Sequence, residues 1–201
     1  MRRGIAILIL LPLAAYGQPA PEEIGSWRLN CVTDRMTDRT ECILRHQDWV
    51  ERPSVGAGIG LEIQDRGGKL VPVVTARDLS FDSPSRAVLA FTGTAQLRFD
   101  RNNMLELPCG LEGRSLVCAP RRGDADRASQ ELSAAARALV RMSGLGSNTT
   151  ATTEPTELRL AGTPAAMERY RRAVPLGTAP PPPEPGLDLQ GVLGRLRQLV
   201  P

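Results

Sequence analysis

WRLNCV at residues 27–32 and ECILRH at residues 41–46 flank a polar run from Thr33 to Thr40. Each flank is short and rich in strand-forming residues, and the run between them suits a chain reversal. A symmetric hairpin centred on Met36-Thr37 brings Cys31 opposite Cys42. Facing residues of an antiparallel pair lie about 4.5–5.5 Å apart at Cα, a separation that a disulfide fits. Cys109 and Cys118 repeat the pattern, flanking Gly110 and Gly113 with a reversal around Glu112-Gly113-Arg114. Each bond closes a loop of about ten residues and is expected to stabilise the fold by ~2–3 kcal/mol. Pairing Cys31 with Cys109 instead costs ~1.7 kcal/mol more in loop closure. Neither spacing is that of a zinc knuckle, and there is no Cys-X-X-Cys redox motif. The four cysteines therefore read as two structural disulfides, Cys31–Cys42 and Cys109–Cys118.

Outward from these hairpins, further short strands are expected at Ile59–Gln64 and Leu70–Ala76, joined by Asp65-Arg66-Gly67-Gly68. Strands are also expected at Ala87–Thr92, Ala95–Phe99 and Met104–Leu107, and a last one at Glu157–Ala161. A helix is expected over Asp126–Ser143, with Leu132, Ala135, Ala136, Leu139 and Val140 at helical spacing and Gly144 as its stop. Thr163-Pro164 reads as a cap and first-turn pair opening a second helix to Arg172. The fold class is thus a β-rich α+β domain: an antiparallel β domain with two disulfide-closed hairpins, two late helices and a Pro-linked C-terminal amphipathic helix.

Residues 1–20 have the layout of a secretory signal peptide, with Arg2 and Arg3, an apolar run from Ile5 to Ala15, and small residues before the cut. Cleavage is expected after Gly17 or Ala20. The apolar run is shorter than the roughly 20 residues that span a bilayer, and no other segment has the length and apolarity of a transmembrane span. The domain is then residues 21–173, followed by a Pro-rich linker at 174–186 and a helix at 187–201. The expected location is periplasmic or secreted, where disulfides persist.

Charge narrows the function. Without Arg2 and Arg3, 23 basic side chains face 22 acidic ones, so no electrostatic case exists for nucleic acid. Aromatics are also scarce, with two Trp, two Tyr and three Phe in the whole chain, which leaves no stacking platform for bases. Lys69 is the only lysine, and the scattered arginines fit a codon bias. One histidine and four disulfide-committed cysteines leave only carboxylates as metal ligands, so no metal or organic cofactor is expected.

His46 lies near Asp48 in an alternating strand, and the expected role is an edge-strand histidine. A hydrolase built on His46 and Asp48 also needs a nucleophile, and neither a Gly-X-Ser-X-Gly elbow nor a Ser-X-X-Lys is present. Gly56-Ala57-Gly58-Ile59-Gly60 begins like a dinucleotide loop, but Leu61 stands where a further glycine belongs and a strand follows in place of a helix. Trp49 remains a candidate ligand contact, while Trp27 is expected in the core. In the tail, Leu189, Leu193, Leu196 and Val200, widened by Val192 and Leu199, form an apolar helical stripe. About fourteen helical residues reach only ~21 Å, too short to cross a membrane. The stripe is expected to dock on a protein partner, a membrane surface or the domain itself.

Trp27-X-X-X-Cys31, Cys42-Ile43-Leu44, the Cys109/Cys118 pair, and Leu160-Ala161-Gly162 running into Ala165-Ala166 together resemble the invasion-associated locus B family, over residues 27 to about 172. Thr163 stands where that family carries an aromatic residue. The resemblance implies a small periplasmic or surface protein of α-proteobacterial type, from a family named for host-cell entry and without an agreed enzymatic activity; it transfers no catalytic residue. The expectation is a non-catalytic extracytoplasmic accessory protein that binds an envelope or host partner. The alternatives are the His46/Asp48 hydrolase and a purely structural envelope protein.

Overall fold

The computed structural model describes residues 20–53, 58–77, 93–143 and 154–177. The expected signal peptide, the Ala87–Thr92 strand and the tail stripe (Leu189, Val192, Leu193, Leu196, Leu199, Val200) lie outside the described residues. Among the described residues ten strands are seen: β1 (Glu22–Ile24), β2 (Trp27–Thr33), β3 (Thr40–Glu51), β4 (Ile59–Asp65), β5 (Leu70–Ala76), β6 (Thr94–Phe99), β7 (Leu105–Glu112), β8 (Ser115–Cys118), β9 (Arg137–Ser143) and β10 (Thr156–Arg159). Two α-helices accompany them, α1 (Ala125–Ala134) and α2 (Thr163–Ala173). All pairings are antiparallel, in the order β1-β2-β3-β4-β5-β8-β7-β6-β9-β10.

Both disulfides form as expected. Cys31 faces Cys42 across β2–β3 and Cys109 faces Cys118 across β7–β8, with Cα separations of 4.0 and 3.9 Å. Asp34 and Arg39 close the first hairpin through a backbone bond of 2.8 Å, and the Asp34 carboxylate accepts the Met36 N–H. Two disulfide bonds mark an extracytoplasmic or secreted protein. Among the described residues no helix is long and apolar enough to cross a membrane.

The sheet curls until its ends meet. Ser26, between β1 and β2, donates its N–H to the Ala161 carbonyl at 2.8 Å, and its Oγ accepts the Ala161 N–H at 3.0 Å. Backbones come this close because Gly25 has no side chain: a Cβ there would lie 2.1 Å from the Ala161 oxygen. Inside the curl sits one core. Trp27, Leu44, Leu61, Leu97, Phe99, Leu107 and Val140 are fully enclosed, with Leu132 from α1 and Ala166 and Met167 from α2 closing over them.

Three expectations are corrected. The helix over Asp126–Ser143 is instead α1 followed by strand β9. Ala138, Val140 and Met142 are buried at a period of two, and the Asp100 carboxylate takes the N–H groups of Ala136 and Arg137 at 3.2 and 3.1 Å, holding the chain extended. Thr163 is the first residue of α2, not its cap. Gly162 occupies the cap at φ 74°, and the Thr163 hydroxyl accepts the Trp27 indole N–H at 3.0 Å. His46 is not at an edge, because β3 lies between β2 and β4. The start of the expected linker also packs on the domain: Val174 and Leu176 touch the core, and the Gly177 N–H reaches Asp65.

Candidate functional site

Alternation along β2, β3 and β4 divides their side chains between two faces. Trp27, Leu29, Leu44, His46, Leu61 and Ile63 point into the core. Arg28, Asn30, Ile43, Arg45 and Glu62 take the opposite face. The register aligns Arg28 with Arg45 and Arg45 with Glu62, so a row of charges crosses three strands. Two arginines directly opposite each other repel. Arg28 is partly neutralised by Glu23 at 2.8 Å in a water-exposed pair.

Arg45 is handled differently. Its guanidinium lies over the Trp49 ring, 3.7 Å from the centroid. A β-bulge makes that contact possible: from Arg45 to Trp49 β3 advances four residues while β4 advances only from Glu62 to Gly60. His46 pins the bulge. Its Nδ1 accepts the Asp48 backbone N–H at 3.0 Å and its Nε2 donates to the Arg159 carbonyl at 3.0 Å, while the ring meets Trp27 edge-on at 5.3 Å. His46 and Asp48 thus do touch, but through the Asp48 backbone; the Asp48 residue itself is exposed.

The Gly-Ile-Gly triplet has a steric purpose here. A Cβ on Gly60 would lie 2.5 Å from Arg45 Nε, and one on Gly58 would lie 2.5 Å from the Trp49 ring. Those two glycines are the space into which the stacked pair fits.

Glu62 forms the floor, its side chain fully enclosed. Arg77 grips it with two bonds, Nε to Oε1 at 2.7 Å and Nη2 to Oε2 at 2.6 Å, and Gln64 donates to Oε2 at 3.0 Å. Gln64 is held in turn by Arg66, which pairs with Glu112. Burial by itself would push the Glu62 carboxyl up, but Arg77, Gln64 and Thr75 more than reverse this, and its pKa falls below the ordinary value. Burial also lowers the Arg45 guanidinium, with Arg77 adding to the effect and Glu62 opposing it. An arginine so placed still keeps its charge.

Together these side chains line a groove of about 270 Å³, with Asn30 and Gln47 along its wall and Pro21 at the rim. That volume approaches the small end of ligand pockets, ~300 Å³. No family model, curated protein or solved structure matches the chain. Function must therefore be read from the groove itself. Sequence reasoning had singled out Trp49 and His46 but not Arg28, Arg45, Glu62 or Arg77. The structure brings His46 and Trp49 to one bulge on opposite faces of the sheet, with Cys31–Cys42 four residue pairs from His46 on the same hairpin.

Proposed function

We propose that this chain is a non-catalytic binding protein of the bacterial envelope, periplasmic or surface-exposed, as its resemblance to the invasion-associated locus B family implies. The groove on β2–β4 is its contact site for a partner protein. One observation carries this: a charged side chain, Arg45, is pre-positioned over Trp49 by a bulge and two glycines, on strands stapled by a disulfide. Rigid pre-placement of a recognition group lowers the entropic cost of binding. Glu62 supports recognition over proton transfer, since a general acid or base works best with a pKa near the working pH and this one is shifted the other way. His46 supports it too, as both ring nitrogens hold backbone groups.

The tail stripe of Leu189, Val192, Leu193, Leu196, Leu199 and Val200 is a second contact in this proposal, reaching a protein partner or a membrane surface. Photo-cross-linking tests the first contact. A cross-linker at Asn30 should capture a discrete envelope protein that one at Arg114, on the far hairpin turn, does not. Capture that is equal from both positions overturns the assignment.

A further inference from the structure

Arg45 makes no hydrogen bond or ion pair with any described residue, although it is half-buried and directly faces both Arg28 and Glu62. A guanidinium carries five N–H donors, and stacking on Trp49 satisfies none of them. Stacking does hold its plane fixed, so its donor edge is displayed as a fork suited to a planar anion.

The surrounding charges select the anion. Arg77 is matched by Glu62 and Arg28 by Glu23, so among the described residues of the groove three guanidiniums meet two carboxylates, and the charge in excess is that of Arg45. The Glu62 carboxylate in the floor further disfavours a dianion. A single negative charge fits, and a doubly charged phosphate monoester does not. Arg45 covers one face of the Trp49 ring, and Gly58 lies close to the Cζ3/Cε3 side of the ring, so the ligand meets the guanidinium rather than the indole there. The Asn30 amide stands on the wall to meet uncharged polar groups beside the anion, and Gln47 offers its Oε1, its Nε2 being spent on the Gly25 and Trp27 carbonyls.

We propose that the groove is a recognition site for a monocarboxylate, anchored bidentately by Arg45 and supported by Arg28. The ligand is an acidic side chain of a partner polypeptide or a small organic acid carrying the same group. This rests on the groove being the binding face.

The test uses the full disulfide-bonded chain, isotope-labelled, with the Trp49 indole and the β2–β4 amides followed by NMR. N-acetyl-glutamate methylamide, its glutamine counterpart, acetate and inorganic phosphate are titrated in turn. The glutamate compound or acetate should shift those signals saturably, and the glutamine compound should not. A glutamate compound that binds more tightly than acetate assigns the polypeptide source; equal affinity assigns the free acid. Arg45→Gln should weaken binding about tenfold or more, the loss of a charge-assisted bond. Arg45→Lys should also fail, because it keeps the charge but loses the fork. Unchanged β6–β9 amides show that both variants remain folded. No saturation in the millimolar range, phosphate binding the more tightly, or full affinity in Arg45→Gln overturns the proposal. If Asn30 still cross-links its partner after such a failure, the groove is a contact site of another chemistry.

Discussion

His46→Ala should be severely destabilising, because this residue beside the groove is held in the core by two backbone hydrogen bonds. His46 is 2% exposed. Its removal strands the Asp48 N–H and the Arg159 carbonyl, at ~1–3 kcal/mol for each buried group left unpaired. Losing the edge-on contact with Trp27 adds ~0.5–1.5 kcal/mol. Partial collapse of the site offsets some of this, which leaves ~3–5 kcal/mol, the range for truncating a large buried side chain. At this chain length each kcal/mol lowers Tm by ~2–4 °C, so a drop on the order of 10 °C is expected. Urea unfolding followed by tryptophan fluorescence measures it, with Trp27 in contact with the deleted ring. Asp48→Ala is the control: only its backbone is used, and its loss should stay within ~0.5 kcal/mol. A His46→Ala loss below ~1 kcal/mol, or an equal loss in Asp48→Ala, would refute the assignment of His46 to pinning the bulge.

Three further outcomes are expected. Replacing Cys31 and Cys42 together with serine should cost ~2–3 kcal/mol, and non-reducing peptide mapping should find no fragment joining that pair to Cys109 or Cys118. Glu62 has a folded-state pKa below its unfolded one, so its contribution is complete above the unfolded value near ~4.3 and is lost as pH falls through the folded value; urea midpoints should decline toward pH ~3, less steeply in Glu62→Gln, which starts less stable at neutral pH. Gly60→Ala should push the Arg45 head off Trp49, losing ~0.5–1 kcal/mol of cation–π attraction while gaining about as much from a stiffer unfolded chain. Its thermal midpoint should therefore barely change while its carboxylate response disappears in the NMR titration.

The two hairpins were legible because spacing and alternation agreed with the cysteine positions. β9 was not, because Ala135-Ala136-Arg137-Ala138-Leu139-Val140 satisfies both periods at once. Leu132, Ala135, Ala136, Leu139 and Val140 fit a helix, and Ala138, Val140 and Met142 fit a strand. What decides is Asp100, thirty-six positions away from Ala136 in sequence, together with the open edge of β6 on which β9 pairs. Local propensity is a weak prior against such a tertiary demand. The Thr163 hydroxyl was misplaced for a similar reason, since its partner Trp27 lies 136 positions away.

The groove was hidden by a different cause: its residues come from separate strands, and scattered arginines resemble codon bias until a register is imposed. Yet the register was available. Once Cys31 is set opposite Cys42, counting three residues back and three forward places Arg28 opposite Arg45, and one further step places Trp27 opposite His46, as found. The first pair puts like charges face to face on the outer surface, an arrangement that costs stability unless something compensates it. The second puts an imidazole against an indole in the core, where His46 is 2% exposed. Gly58 and Gly60 then acquire meaning as the gap that receives Trp49 and Arg45, which periodicity alone cannot reveal. A disulfide register is therefore more than a stability argument in a small exported domain. It fixes which side chains meet across the hairpin, and here the meeting that physics disfavours in the free chain, Arg28 against Arg45, is the one that points to an anion.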